Sequence, residues 1–142
     1  MKLALLVSLV PMLSFGMDRM SALSMIETGN NDRMVGRSGE ISRYQILKTE
    51  WRSVTNSFNY SDPRTASTVA SLLVDRRVQD FRGRFHREPT NFEFYALWNA
   101  PGQVLNGRVS PTVSERSRRF ANLCEWNERL ALAPKRPAKR PV

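Results

Sequence analysis

Apolar residues recur at helical spacing in several blocks, separated by short polar stretches rich in glycine, asparagine and proline. Met17, Met20, Leu23 and Ile26 follow a helical recurrence that predicts a helix over Met17–Thr28. Gly29, with Asn30 and Asn31 behind it, is a stop signal. Residues Asn30–Ser42 are polar and hold Gly36 and Gly39, both able to take positive φ, so a loop or short hairpin is predicted. Tyr44, Ile46, Leu47, Trp51 and Val54 predict a short helical segment over 44–54, with a polar link from Thr55 to Ser61.

Asp62-Pro63 predicts the next helix start, aspartate as N-cap and proline at the first helical position. This helix is expected to run to about Gly83, with Ala66, Val69, Leu73, Arg77 and Phe81 along one side. Its basic end (Arg76, Arg77, Arg82, Arg84) suits the negative end of a helix dipole. His86 falls in the following loop with no Cys or second His nearby, which predicts a surface residue, not a metal ligand. Thr90 and Glu93 form a capping box before a nearly all-apolar run ending at Trp98-Asn99, the signature of a buried central helix. Pro101 is expected to stop it and Gly102 to turn the chain. Thr112 and Glu115 predict a second capping box opening the last helix, with Val113, Ser117, Phe120, Cys124 and Leu130 near one face.

Length sets one domain: 142 residues, 41% hydrophobic and 25% charged, support a single modest core. Residues 1–16, with Lys2 before the apolar stretch Leu3–Leu13 and small residues Ser14 and Gly16, predict a secretory signal peptide. That stretch is too short to span a bilayer, and no other segment approaches ~20 apolar residues, so no transmembrane segment is expected. The expected products are an exported domain over 17–132 and a disordered basic Pro/Lys/Arg tail over 133–142. A lone Cys124 forms no internal disulfide, so packing alone must hold the fold.

The net charge of +9 favours polyanionic partners, whether nucleic acid, an anionic membrane surface or an acidic wall polymer. Export, and charge placed in the tail and helix ends and not in a stripe, argue against nucleic acid. Among candidate chemical groups, Glu27 stands out. In the last turn of its helix it faces the negative end of the dipole, flanked by Met25 and Ile26, and both effects raise a carboxyl pKa. A glutamate kept protonated near neutral pH suits general acid work, although single glutamates are more commonly solvated. Trp98 and Asn99 at a helix end suit a sugar site, a ring for a pyranose face and an amide for hydroxyls; core packing and capping explain them equally well.

Taken in order, these residues resemble the lytic transglycosylase and goose-type lysozyme families. Glu27-Thr28 sits where the family has a Glu-Ser pair closing a helix. Gly36-Arg37-Ser38-Gly39-Glu40-Ile41-Ser42-Arg43-Tyr44-Gln45 lies in register with its Ser-Pro-x-Gly-x-x-Gly-Leu-Met-Gln run. Leu97-Trp98-Asn99-Ala100-Pro101 looks like its Ala-Tyr-Asn-Ala-Gly motif. Gly36 replaces the family serine, Ser42-Arg43 replace Gly-Leu, and Trp98 and Phe120 stand at tyrosine positions. The resemblance covers roughly 17–130 and implies a mainly α (α+β lysozyme-like) fold. It also implies peptidoglycan glycan strands as partner, no cofactor or metal, and action as a monomer in the periplasm, cell envelope or outside the cell. Glu27 would be the general acid/base of a lytic transglycosylase cutting between N-acetylmuramic acid and N-acetylglucosamine, with Gln45, Tyr44, Trp98 and Asn99 lining the sugar subsites. A lysozyme-type hydrolase, for which Asp32 and Glu40 are the nearest second carboxylates, and a non-catalytic glycan-binding module are the alternatives.

Overall fold

The computed structural model describes residues 17–133, so the expected signal peptide and nearly all of the basic tail lie outside the described residues. The described chain is mainly helical. Six helices follow in order: α1 Arg19–Thr28, α2 Lys48–Val54, α3 Pro63–Phe85, α4 Asn91–Asn99, α5 Pro101–Leu105 and α6 Pro111–Leu132. None of these is long and apolar enough to cross a membrane.

Most helix ends obey local capping chemistry. α1 starts at Arg19 and not at Met17, because the Asp18 carboxylate accepts the Ser21 N–H at 2.7 Å and sets the first turn. It stops at Gly29, whose φ of 64° lets its N–H reach the Met25 carbonyl at 2.9 Å. Asp62 caps α3 through the Thr65 N–H at 2.7 Å. α3 continues past Gly83 to Phe85, and exposed His86 takes the left-handed cap position at φ 55°. The capping box at Thr90 and Glu93 is complete in both directions.

Three expected elements differ. Tyr44–Leu47 is not helical: Ile41 and Ile46 pair as a single antiparallel bridge closing a tight turn, with Ser42 and Gln45 at φ 66° and 52°. The expected hairpin is thus reduced to this one bridge, and α2 begins only at Lys48. Pro101 does not end the helical path. Ala100 (φ −149°) breaks α4, and Pro101, needing no N–H partner at a first helical position, starts α5 with Gly102 inside it. α6 opens at Pro111, where the Ser110 side chain accepts the Val113 N–H, so Thr112 lies within the helix and is not its cap. Of the two loop glycines able to take positive φ, Gly39 does so, at 81°, and Gly36 does not.

α4 is the centre of the molecule. Five consecutive residues, Phe94 to Trp98, are buried, which is possible only where neighbours cover every face. Phe120 of α6 stacks on Phe94 at 5.6 Å between ring centroids and tilts against Tyr95 at 5.4 Å. A larger core joins α1, the bridged turn, α2, α3 and α4, and a smaller one joins Phe81, Ala96, Leu97, Val104 and Val113. Trp51 is fully buried, and its indole N–H donates to the Ser57 carbonyl at 2.8 Å, so the large ring enters the core with its polar atom satisfied. Cys124 is buried as expected, whereas Leu130 is 54% exposed.

Candidate active site

Side-chain links hold the end of α1 and the loop after it against the bridged turn. The Thr28 hydroxyl donates to the Arg43 carbonyl at 2.9 Å. Arg43 in turn forms a forked pair with Asp32, at 2.6 and 2.8 Å. Buried Ser24 donates to Asn30 at 2.5 Å, tying the α1 stop to the same loop. Glu27 and Gln45 are thereby brought to one cavity.

Glu27 points inward, its side chain only 5% exposed. Its Oε1 accepts the Tyr95 hydroxyl at 2.6 Å and its Oε2 accepts Arg116 Nη2 at 3.2 Å. Burial raises its pKa, and the charge of Glu40 adds to the rise; the bonds from Tyr95 and Arg116 oppose it without cancelling it. The direction matches the sequence expectation, but the cause differs. Met25 is 40% exposed, and the enclosure comes from α4 and α6, 68 and 89 residues away in the chain. Tyr95 is itself held protonated, by burial first and then by the neighbouring Glu27 charge.

Glu27 opens onto a cavity of about 420 Å³, within the size range of small-molecule sites. The turn contributes Gln45 and Glu40, α2 Leu47 and Glu50, α3 Arg77, and α6 Arg116, while Trp98, Asn99 and Pro101 close the far side. Four of the five residues expected from sequence (Glu27, Gln45, Trp98 and Asn99) thus meet in one cavity. Tyr44 does not. It is 4% exposed and packs edge-on against Trp98 at 6.4 Å, because the left-handed Ser42 and Gln45 fold the turn so that its ring enters the core. It supports the Trp98 ring from behind.

Glu40 reaches the cavity because position 36 has no side chain. A Cβ there would lie 2.5 Å from Gln45 Oε1 and closer still to Glu40 Oε2. The Glu40 carboxylate also accepts the Ser38 N–H at 2.9 Å. Arg77 is largely buried: it pairs with Glu50, donates to the Trp98 carbonyl at 2.6 Å, and sits 4.9 Å from the Trp98 ring centroid. It fixes the C-terminal end of α4 and with it the cavity wall. Asp32, by contrast, is spent on Arg43, which holds its pKa below the usual carboxylate value, and it does not line the cavity.

Tyr95, Arg116, Arg77, Glu50 and the structural role of Gly36 were missed from sequence. Tyr95 alone left a usable signal, since it precedes Trp98 by three residues and shares its helix face. Among the described residues, no group of three His, Cys, Asp or Glu side chains could hold a metal ion. Comparison with protein-family models, characterised proteins and solved structures returned no match.

Proposed function

We propose that this protein cleaves peptidoglycan glycan strands as a lytic transglycosylase on a lysozyme-like fold, with Glu27 as its single acid/base. The observation that carries this reading is the buried Glu27 carboxyl, its pKa raised, opening onto a cavity that also holds Gln45, Trp98 and Asn99. These are the residues singled out by the motif resemblance. The mainly helical architecture and the position of Glu27 at a helix end are in keeping with it.

In this mechanism protonated Glu27 gives its proton to the glycosidic oxygen as the bond from C1 of N-acetylmuramic acid to that oxygen breaks. The resulting carboxylate then takes the proton of the muramoyl C6 hydroxyl as that oxygen closes on C1. A 1,6-anhydro end forms, Glu27 returns to its starting state, and no water is consumed. The Tyr95 hydroxyl beside Glu27 stabilises the transient carboxylate, while burial favours the proton's return, so both forms of the acid/base are accessible.

A hydrolase reading has one observation in its favour. Glu40 lines the same cavity and its charge acts on Glu27, a placement suited to activating a water. Mass spectrometry of muropeptides released from purified peptidoglycan tests the proposal. Anhydro ends are expected; reducing ends alone would transfer the assignment to the hydrolase, and no release at all would leave a glycan-binding module.

A further inference from the structure

The cavity contains two arginines, and each is held by a carboxylate: Arg77 by Glu50 and Arg116 by Glu27. The two pairs differ in a way that bears on catalysis. Arg77 is 11% exposed, with its guanidinium also bonded to the Trp98 carbonyl and lying over the Trp98 ring. It is built into the wall. Arg116 is 41% exposed, and among the described residues its hydrogen bonding is a single contact from Nη2 to Glu27 at 3.2 Å. Its guanidinium lies 5.8 Å from the Tyr95 ring centroid, and its remaining N–H donors are left to the cavity and solvent.

The pairing conflicts with the chemistry asked of Glu27. A general acid must be neutral when substrate arrives, and a cation bonded to its Oε2 favours the charged form. When Glu27 takes up a proton, Arg116 loses its counter-charge while still facing the cavity. An anion brought by the ligand resolves both problems at once: it pairs with Arg116 and frees Glu27 to stay protonated. Arginine presents a planar fork matched to a carboxylate, which makes that group the fitting anion.

We infer that Arg116 is a specificity-determining residue that binds a carboxylate carried by the glycan substrate and, in doing so, releases Glu27 into its acid form. The inference rests on the glycan-cleaving reading above. Peptidoglycan has two such carboxylates: the lactyl group of muramic acid once its stem peptide is removed, and those of the stem peptide itself. The other groups facing Glu27 are the Tyr95 hydroxyl from α4 and the Glu40 carboxylate from the loop, and neither is displaced by this step.

The test compares peptide-free glycan strands, peptide-bearing strands and neutral chitooligosaccharides. Glu27 must be protonated, so activity falls as pH rises through its pKa. The kcat/KM profile reports that midpoint in the free enzyme and the kcat profile reports it in the complex. On an anionic substrate the kcat midpoint is expected above the kcat/KM midpoint, and on chitooligosaccharides the two should coincide. Whichever anionic substrate opens the gap identifies the carboxylate. In R116Q the gap should vanish, with the kcat/KM midpoint itself moved upward. Equal gaps on neutral and anionic substrates, or none on either anionic one, overturn the inference.

A binding arm stands apart from turnover. By calorimetry, the wild-type protein should prefer the free-lactyl disaccharide of N-acetylmuramic acid and N-acetylglucosamine, or its peptide-bearing form, over diacetylchitobiose. The expected margin is about tenfold, of the order of one charge-assisted hydrogen bond, and R116Q should lose it. A preference retained in R116Q sinks the role of Arg116 whatever cleavage shows. If the protein binds these sugars with that preference yet cleaves none, the enzymatic reading and the release of an acid form of Glu27 both fail, and carboxylate recognition by Arg116 alone stands.

Discussion

Tyr95→Phe isolates the contact that most directly tunes Glu27. The change removes one oxygen and leaves a ring that is fully buried between α1 and Phe120, so core packing is preserved. What is lost is the hydroxyl donated to Glu27 Oε1 at 2.6 Å. A hydrogen bond to a charged group contributes about 1.5–3 kcal/mol, and one pH unit corresponds to about 1.4 kcal/mol. Because the bond favours the ionised carboxylate, its loss raises the Glu27 pKa further. The alkaline limb of the kcat/KM profile should therefore move up by about one to two pH units.

Stability follows the same sign. The Tyr95 bond contributes most when Glu27 is ionised, above its folded pKa, and less as pH falls through that pKa. Tyr95→Phe should then cost about 1.5–3 kcal/mol in denaturant unfolding on the alkaline side and clearly less on the acidic side. An alkaline limb that stays put or moves down, together with a pH-independent stability loss, would refute the coupling between Tyr95 and the acid.

Two further substitutions probe how the cavity is assembled. Gly36→Ala places a methyl group on the tips of Glu40 and Gln45, which are flexible, so unfolding free energy should change by less than about 1 kcal/mol while glycan affinity falls by about tenfold through loss of one contact; unchanged affinity would show that these tips do not face the ligand. Asp32→Asn breaks the forked pair with Arg43, which is partly exposed and is expected to contribute about 0.5–1 kcal/mol. Because Arg43 lowers the Asp32 pKa, this contribution is present above the ordinary aspartate range and lost as pH falls through the lowered value. Urea unfolding should separate the two proteins at neutral pH and bring them together in acid; a difference that persists in acid would contradict the ion-pair account.

The local half of this architecture was readable in the chain, and the long-range half was not. Asp62-Pro63, the Thr90 capping box and Gly29 act through bonds within a few residues, and each places its helix end where expected. The misread ends are also local, but at each of them two signals competed. Ser110-Pro111 outweighs Thr112 because proline at the first position costs no N–H, and the same property lets Pro101 begin α5 where a stop was expected. Tyr44 was expected with Gln45 at the sugar subsites that the family resemblance implies, yet two left-handed residues around it turn neighbours in sequence to opposite sides of the turn. Glu27 was recognisable by its motif position, but its partners were not. Tyr95 is one of several aromatic residues on α4 and Arg116 one of several arginines on α6, and only packing of α1 against both selects them.

The proposed glycan cleavage depends on a proton held by Glu27. Glu27→Gln keeps the side-chain shape and an acceptor for Tyr95 but supplies no acidic proton. Turnover of purified peptidoglycan by this variant, measured beside the wild type at the same thermal stability, should fall by about a hundredfold to ten-thousandfold, the range spanned by general acid–base catalysis. Cleavage by Glu27→Gln at the wild-type rate would show that Glu27 is not the acid.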